Sequence, residues 1–430
     1  MRATRPDVPR GAATAGDGIV LVDKPAGLSS HDVVALTRRL AATRKVGHAG
    51  TLDPMATGLL VLGVGRATRL LTYLVGADKT YEATVRLGQE TTTEDAEGGV
   101  TTARGCRIDD LPAARLDEAL DRLTGPIQQV PSAVSAIRVD GMRSYERVRR
   151  GQDVELAARS VTIHALELRG RPRAAAAVNG NGTVGAAGAA GSVGSVGAAD
   201  TVEVVDIDLR VACSSGTYVR ALARDLGAAL GCGAHLTALR RTRVGPFGVD
   251  EAATLGALSA RVESDAAAAR PRGLSVLPVP TAARRCFEAV ELTGSEARAL
   301  GHGQFLPASL LDRARAPEHP IVPTAAVPAG SATPAGRRRV TAGFAPDGAV
   351  VALLAREGVP APCWCWPRHE RRIRLDDDRG TDDGRRRRAR RRRARRARCA
   401  PESVREAREP PGPPGVARRG RARGGSGVGA

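Results

Sequence analysis

Residues 48–58 read His-Ala-Gly-Thr-Leu-Asp-Pro-Met-Ala-Thr-Gly and place one carboxylate, Asp53, in a tight turn. Gly50 gives the incoming backbone conformational freedom, whereas Pro54 fixes φ and has no N–H to donate to a strand ladder. The apolar run at residues 59–62 follows at once and is typical of a buried strand. The pattern predicts a rigidly held Asp53 between a basic helical segment and an apolar strand. An isolated Asp-Pro pair is more often a helix N-cap with proline at the first helical position, so the rest of the chain decides between the two interpretations.

Further motifs follow one another along the chain. Residues 18–31 read Gly-Ile-Val-Leu-Val-Asp-Lys-Pro-Ala-Gly-Leu-Ser-Ser-His, residues 79–88 read Lys-Thr-Tyr-Glu-Ala-Thr-Val-Arg-Leu-Gly, and residues 213–241 begin Cys-Ser-Ser-Gly-Thr-Tyr-Val-Arg and end Ala-Leu-Arg-Arg. With residues 48–58, these segments resemble the bacterial tRNA pseudouridine-55 synthase (TruB) family. Each motif alone is weak, but four in the family's order are specific.

The periodicity of the chain indicates mixed secondary structure. Residues 19–22 and 81–87 are typical of strands, Ser29 or Ser30 is placed to cap a helix that ends near Leu40, and residues 111–123 have helical spacing. We therefore predict an α+β fold around a mostly antiparallel sheet. The resemblance implies the pseudouridine synthase fold, with a central mixed sheet and a cleft.

The composition suggests several segments. We expect a disordered N-terminus at residues 1–17, a catalytic domain at 18–280, a PUA-like, β-rich C-terminal domain at 281–356, and an Arg-rich disordered tail at 357–430. Inside the catalytic domain, residues 124–152 resemble the family's mobile RNA-gripping insertion, since arginines alternate there with apolar residues. Residues 171–200 are rich in Gly, Ala, Val, Ser and Asn and predict a flexible loop between two strands.

Charge and cysteine usage restrict the class of protein. The net charge is +19, of which residues 361–430 supply +13 through 22 Arg against 9 acidic residues, so the rest of the chain is only mildly basic. A polyanionic partner fits this balance. Seven scattered cysteines and an N-terminus without a signal-like apolar run favour reduced thiols in a cytoplasm. No apolar run is long enough to span a bilayer, so we expect a cytoplasmic protein without membrane contact.

The tail allows three interpretations. Its arginines suit a disordered arm that binds RNA phosphates, a solvated tail without a specific role, or the product of a frame error in a GC-rich gene. Cys363, Cys365, His369 and Cys399 lack the spacing of a structural zinc site.

The resemblance assigns three catalytic residues. Conversion of uridine to pseudouridine breaks the bond from N1 to C1′, turns the bound uracil and rejoins it through C5, which requires a carboxylate beside the ribose and no cofactor. Asp53 matches the family nucleophile, and Arg220 matches the arginine that pairs with it. Tyr81 matches the tyrosine that stacks on the target base. Without the resemblance, Arg220 is a surface strand residue and Tyr81 a core residue.

The resemblance also assigns four substrate-binding residues. His48 matches the residue that fills the space left by the flipped base, and Leu239 matches an apolar residue that packs beneath it. Lys24 matches part of a turn that supports the active-site loop, with either a structural role or a phosphate contact. Tyr218 is expected to alternate with Arg220 on one strand face and to point into the cleft. The pattern alone favours a loop histidine for His48 and core packing for Leu239.

Two positions depart from the family pattern. Ser215 stands where many relatives have lysine, and Val134 replaces a common aromatic residue. Neither belongs to the catalytic set, so these departures bear on affinity or substrate range.

We therefore predict a tRNA pseudouridine synthase that isomerises the T-arm uridine at position 55 by covalent or glycal chemistry at Asp53. It is expected to act as a monomer, without an obligatory protein partner, metal or other cofactor. Two alternatives remain at this point: a non-catalytic protein that binds or folds RNA, and a guide-dependent synthase within a ribonucleoprotein.

Overall fold

A computed structural model describes residues 4–132, 138–139, 142–143, 156–178, 201–304, 306–317, 340–355 and 362–365. These residues belong to one compact unit, residues 1–368; the second unit, residues 369–430, lies outside the described residues. None of the helices in the described ranges combines the length and apolarity that a bilayer crossing requires.

The helices are short. They are α1 (Ser30–Leu40), α2 (Leu71–Leu74), α3 (Ala113–Arg122), α4 (Val219–Ala229), α5 (Leu255–Ala266), α6 (Val279–Cys286) and α7 (Gly294–Gly301), and 3-10 turns occupy Gly65–Arg69, Ile108–Asp110, Val249–Glu251 and Ala308–Arg313. The predicted helices are both present: α1 begins after Ser29, which forms a capping box with Asp32, and α3 covers most of residues 111–123.

The strands form one large sheet and three smaller ones. They are β1 (Gly18–Lys24), β2 (Val46–His48), β3 (Thr57–Val64), β4 (Lys79–Leu87), β5 (Gln89–Thr91), β6 (Val100–Ala103), β7 (Gly125–Gln129), β8 (Arg138–Val139), β9 (Met142–Arg143), β10 (Arg159–Val178), β11 (Thr201–Cys213), β12 (Ala234–Val244), β13 (Phe247–Gly248), β14 (Ala253–Thr254), β15 (Leu277–Pro278), β16 (Glu288–Glu291), β17 (Val340–Phe344), β18 (Val350–Ala355) and β19 (Pro362–Cys365).

The large sheet has 11 strands, with the main order β14-β1-β3-β12-β4-β11-β10-β7. Its described pairs are antiparallel apart from β1 with β14 and β12 with β3, which are parallel. The prediction of an α+β fold around a mixed, mostly antiparallel sheet is therefore confirmed.

Burial explains the sequence patterns of the two central strands, β3 and β4. In β3 the continuous apolar run faces two cores, because Leu59 and Val61 pack with the residues around α6 whereas Leu60 and Leu62 pack with α1. In β4 alternate residues are buried, including Tyr81, which packs in a third core beneath α3 and α4.

The N-terminal segment differs from its prediction. Residues 4–17 were expected to be disordered, but Val8 and Ala15 are buried, and the Gly11 N–H donates to the Arg39 carbonyl over 3.1 Å. The reason is that α1 exposes an apolar flank that these residues cover.

The predicted loop at residues 171–200 is also shorter than expected. Strand β10 continues to Val178 and pairs with β11 through Arg173–Asp206 to Val178–Thr201 after a register shift. Pairing with a neighbouring strand thus outweighs the low apolarity of residues 171–178. Residues 179–200 lie outside the described residues.

The boundaries near the C-terminus need two corrections. Helix α6 crosses the expected boundary between residues 280 and 281, and Phe344 of β17 shares a core with Phe247 of the catalytic region. The predicted tail at 357–430 contains β19, which pairs with β18 through Leu353–Trp364. The backbone of residues 362–365 is therefore part of the small sheet.

Candidate active site

Asp53 lies in the connection between β2 and β3. The Ala56 N–H donates to the Asp53 carbonyl over 3.1 Å, which closes a turn, and β3 begins at Thr57. No helix follows Asp53, so the N-cap interpretation of the Asp-Pro pair is wrong. The basic segment directly before the turn was expected to be helical, but helix α1 ends at Leu40 and strand β2 lies between α1 and the turn.

Lys24 is a buried support for this turn. It has no exposed surface, and its Nζ donates to the carbonyls of Leu28 over 2.7 Å, Pro25 over 2.9 Å and Pro54 over 3.1 Å. An ammonium group has three N–H donors, and here each of them has a backbone carbonyl as its acceptor. Burial lowers the pKa of Lys24 to about 8, and the charge of Asp53 opposes that shift. The contacts of Lys24 therefore favour a structural role over a phosphate contact.

Arg241 is a second buried cation behind the turn, and the sequence analysis assigned no role to it. Its Nε donates to the Leu59 carbonyl over 2.8 Å, and its Nη1 and Nη2 donate to the carbonyls of Thr51 and Gly50 over 3.2 Å each. The turn approaches Arg241 so closely that a Cβ at Gly58, where φ is +95°, would lie 2.3 Å from the Arg241 carbonyl oxygen. The Arg-Arg ending of the fourth motif was the signal for this residue.

Ser30 holds the turn from α1. Its hydroxyl accepts from the Leu52 N–H over 2.8 Å and donates to the Leu52 carbonyl over 3.1 Å. Together, Lys24, Ser30 and Arg241 fix the backbone on both sides of Asp53.

Arg220 meets Asp53 from the opposite side. Its Nε lies 3.0 Å from Asp53 Oδ2, and the Arg220 side chain is 5% exposed whereas that of Asp53 is 37% exposed. The carboxylate therefore carries a buried counter-ion yet stays open to a ligand. The predicted contact between these residues is present.

The secondary structure around Arg220 differs from its prediction. Tyr218 is the N-cap residue of α4, and Arg220 lies in the first turn of that helix. The motif is thus a strand-to-helix junction, because Gly216 adopts a φ of +90° after β11 and good helix formers follow. A spacing of two residues does not place Tyr218 and Arg220 on one face of a helix, so their expected strand alternation is wrong.

Acceptors surround the rest of the Arg220 guanidinium. Nη1 donates to the Thr93 carbonyl over 2.9 Å and to Ser132 Oγ over 3.3 Å, and it lies 3.5 Å from Asp95 Oδ2. Asp95 is buried and also accepts from the Glu97 N–H over 3.0 Å. Burial and then the charge of Asp95 raise the pKa of Glu97. The sequence did not single out Asp95, which lies in the polar loop after β5.

Tyr81 and Leu239 lie on neighbouring strands of the same core. Tyr81 of β4 is opposite Arg241 of β12, and Leu239 is opposite Ala83. Burial raises the pKa of Tyr81 to about 12, so the phenol stays protonated near neutral pH. A cavity of about 520 Å³ is lined by Leu239 together with Met55 from the Asp53 turn. Tyr81 and Leu239 share this core with Leu52 and Ala56, which flank Asp53 in the sequence.

His48 and Tyr218 lie at the edges of the site. His48 belongs to β2, and its ring makes an edge contact with His31, with 5.5 Å between ring centroids. Burial lowers the pKa of His48, and its buried Nδ1 has no hydrogen-bond partner among the described residues. Tyr218 is partly buried, and its backbone is held by Gln129 of β7.

The arrangement provides an ion pair whose carboxylate is partly open, next to a core that contains Tyr81 and Leu239. Such a carboxylate can attack an electron-poor carbon or stabilise positive charge that develops there. Among the described residues, no three His, Cys, Asp or Glu side chains cluster in a way that suits a metal ion.

Comparison with known sequences decides the family. The family description "TruB family pseudouridylate synthase (N terminal domain)" matches residues 38–181. The chain is 48% identical to a tRNA pseudouridine synthase B of Arthrobacter sp. (strain FB24) over 344 residues, which cover 79% of this chain and 93% of that protein. The chain belongs to the TruB family of pseudouridylate synthases. The family expected from the four motifs is therefore confirmed.

Other TruB relatives are similarly close. Proteins named tRNA pseudouridine synthase B from Thermobifida fusca (strain YX) and Mycolicibacterium paratuberculosis (strain ATCC BAA-968 / K-10) are 47% and 48% identical, and the matches cover 97% and 94% of their lengths. The description "tRNA pseudouridylate synthase B C-terminal domain" matches residues 220–282. Neither family match extends beyond residue 282, so the assignment of the PUA-like domain at 281–356 stays a prediction.

Comparison with solved structures supports the pseudouridine synthase fold. The chain aligns with one from the "Crystal Structure of a Cbf5-Nop10-Gar1 Complex" at a TM-score of 0.51 and 23% identity, covering 80% of this chain and 83% of that one. A chain from the "Structure of H/ACA RNP bound to a substrate RNA containing 2'-deoxyuridine" gives the same TM-score and identity, with 81% and 84% covered. At this identity the likeness supports the pseudouridine synthase fold alone.

Proposed function

We propose that this chain isomerises a uridine of tRNA, the T-arm uridine at position 55, to pseudouridine. Asp53 is the catalytic carboxylate, and the observation that carries the proposal is its pairing with the buried Arg220, next to the core that contains Tyr81 and Leu239. Membership of the TruB family supports the reaction type.

The reaction conserves atoms. The bond from N1 to C1′ breaks, and Asp53 either attacks C1′ or stabilises the positive charge that develops there. The uracil turns while it stays bound, and C5 then forms a bond to C1′. The C5 proton leaves to solvent, and N1 takes up a proton. Arg220 holds the carboxylate in place by charge and by its Nε–H.

The other site residues have distinct roles. Tyr81 stacks on the base as a neutral phenol, and Leu239 packs beneath it. His48 occupies the space that the base leaves when it flips out of the T-arm, a step that costs a few kcal/mol of stacking and pairing. Tyr218 contributes a further wall of the site. Lys24 acts through the turn that carries Asp53.

The working form is a monomer in the cytoplasm that binds the T-arm stem-loop without another protein or a cofactor. The predicted insertion at 124–152 grips the RNA backbone; most of its residues lie outside the described ranges. Its interleaved arginines suit phosphate contacts.

The test is release of tritium from C5 of uridine-labelled tRNA transcript by the purified chain. We expect about one equivalent per tRNA, because each transcript carries one target uridine and each isomerisation releases one C5 hydrogen. Release should disappear in Asp53→Asn and with a transcript that carries cytidine at the T-arm position. Asp17→Asn is the matched control, because it removes a carboxylate that pairs with Arg66 outside the site.

Tight tRNA binding without tritium release would overturn the isomerase assignment and leave an RNA-binding protein. Release from the cytidine transcript would keep the reaction but move its target to another uridine.

A further inference from the structure

The short segment at residues 129–132 runs along the first turns of α4, the helix that carries Arg220. Gln129 and Ser132 are each only 1% exposed, although both side chains are polar. Buried polar side chains require partners, and both find them on α4 or its N-cap residue. The Arg220 helix is thus held by a segment that is distant in sequence.

Gln129 bonds both backbone polar groups of Tyr218, the N-cap residue. Its Oε1 accepts from the Tyr218 N–H over 2.9 Å, and its Nε2 donates to the Tyr218 carbonyl over 3.1 Å. A side-chain amide is the group that carries a donor and an acceptor at this spacing. Tyr218 makes no side-chain capping bond to α4, so the Gln129 amide fixes the residue from which the helix begins.

Ser132 and Val130 extend this contact along the helix. Ser132 Oγ accepts from Arg220 Nη1 over 3.3 Å, and the Val130 carbonyl accepts from Arg224 Nη2 over 2.9 Å. Arg220 and Arg224, one turn apart on α4, therefore bond to Ser132 and Val130 of the same segment. This double contact fixes the rotation of the first turn of α4 about its axis.

We propose that Gln129 and Ser132 are positioning residues that set the direction in which Arg220 presents its Nε to Asp53. The 3.0 Å contact between Arg220 Nε and Asp53 Oδ2 depends on where α4 begins and on where Nη1 is anchored. Gln129 determines the first, and Ser132 contributes to the second. The kinetic part of this inference rests on the proposed function.

The position of these residues places them next to the predicted RNA contact. Gln129 and Ser132 lie within the predicted RNA-gripping insertion at 124–152, at its N-terminal end. The same piece of chain therefore joins the expected RNA contact to the catalytic arginine.

The experiment compares three test variants and one control variant with wild type. Gln129→Met keeps the length of the side chain and removes both hydrogen bonds, and Ser132→Ala removes the hydroxyl, whereas Ser132→Thr keeps it. Gln89→Met is the matched control, because the buried Gln89 amide donates to the Val178 carbonyl over 2.9 Å, outside the site.

Two quantities are measured for each variant: the single-turnover rate of tritium release at saturating tRNA, and the dissociation constant for tRNA. We expect Gln129→Met and Ser132→Ala to slow the rate by about tenfold to a hundredfold, since small displacements of a catalytic group have effects of this size. The dissociation constant should change by less than about twofold. Ser132→Thr should recover most of the rate, and Gln89→Met should keep the wild-type rate despite a lower melting temperature.

A second measurement does not depend on turnover. In protein labelled with ¹⁵N-arginine, the Nε–H resonance of Arg220, assigned with Arg220→Lys, should shift in Gln129→Met and in Ser132→Ala but not in Gln89→Met. This measurement also applies if a variant is poorly active or if the wild type releases no tritium.

Wild-type rates in both Gln129→Met and Ser132→Ala, or an unshifted Arg220 resonance, would overturn the positioning role and leave the proposed function intact. Equal slowing in Gln89→Met would also overturn it, because the effect would then follow from lower stability. Absence of tritium release from the wild type would contradict the proposed function, while the resonance still tests the positioning.

Discussion

The two halves of the Asp53–Arg220 pair are held by groups of opposite character. The Asp53 turn is held from behind by two buried cations, Lys24 and Arg241, which donate to its backbone carbonyls. The Arg220 side is held by acceptors, among them the carboxylate of Asp95. Each half of the ion pair is therefore surrounded by charge that complements its own, and the pair remains partly open to a ligand on the Asp53 side.

This difference has a physical reason. A turn that exposes several carbonyls to the interior requires donors, and long cationic side chains supply several donors from one position. A buried guanidinium requires acceptors in its plane, and Arg220 finds them on different loops. Removing a cation should therefore disturb the fold around Asp53, whereas removing an acceptor should disturb the direction of Arg220.

The largest effect is expected at Arg241. Arg241→Met removes one buried and two part-buried hydrogen bonds to backbone carbonyls, so the free energy of unfolding should fall by about 3–5 kcal/mol. Denaturant unfolding measures this loss. Arg240→Met is the matched control, because its partly exposed pair with Asp23 should be worth less than about 1 kcal/mol. Equal losses at both positions would show that Arg241 does not support the turn.

Lys24 allows a prediction about pH. Burial lowers the pKa of Lys24 to about 8 from its ordinary value of 10.5. Between these values the unfolded chain binds more protons, so the contribution of Lys24 to stability increases as the pH rises through this window. The unfolding free energy of wild type minus that of Lys24→Met should increase by about 3 kcal/mol across the window, at about 1.4 kcal/mol per unit.

The control for Lys24 is Lys45→Met, since Lys45 is exposed. The unfolding free energy of wild type minus that of Lys45→Met should change by less than about 0.5 kcal/mol across the same pH window, as is usual for surface substitutions. A Lys24 difference that falls with rising pH would contradict the predicted sign.

Asp95 tests the other half of the pair. Asp95→Asn keeps the shape of the side chain and removes its charge from the neighbourhood of Arg220 Nη1, so the rate of tritium release should fall by about tenfold to a hundredfold. The dissociation constant for tRNA should stay within about twofold, because Asp95 is buried behind the arginine. Asp225→Asn is the control, as it changes a more exposed carboxylate on α4 beside Arg224. A large loss of tRNA binding in Asp95→Asn would contradict its role behind Arg220.

The sequence predicted the elements whose signal is local. Strand β4 alternates, β3 is continuously apolar, and Ser29 caps α1 within four residues of its partner Asp32, so each was readable from a short window. The Arg220 junction was misread, because a β-branched and aromatic stretch at residues 217–219 resembles a strand until the turn at Gly216 is seen.

The supporting residues of the site could not be predicted from local patterns. Arg241 contacts a turn 190 positions away in the sequence, and Arg220 meets Asp95, which is also more than one hundred positions away. Their side chains look like ordinary charged residues until the strands are paired. The family resemblance supplied the residues that are proposed to face the substrate, but the residues behind them became visible only with the tertiary contacts.

The smallest effect is expected on α1, where two buried hydroxyls differ in their partners. Ser30 Oγ bonds both polar groups of Leu52, whereas Thr37 Oγ1 has no hydrogen-bond partner among the described residues. Ser30→Ala should lower the unfolding free energy by about 1–2 kcal/mol and slow tritium release, because it frees the turn next to Asp53. Thr37→Val keeps the shape and removes a hydroxyl that makes no bond, so stability should change by less than about 0.5 kcal/mol or increase. Equal losses in the two variants would show that Ser30 acts through packing within α1 and not through the Asp53 turn.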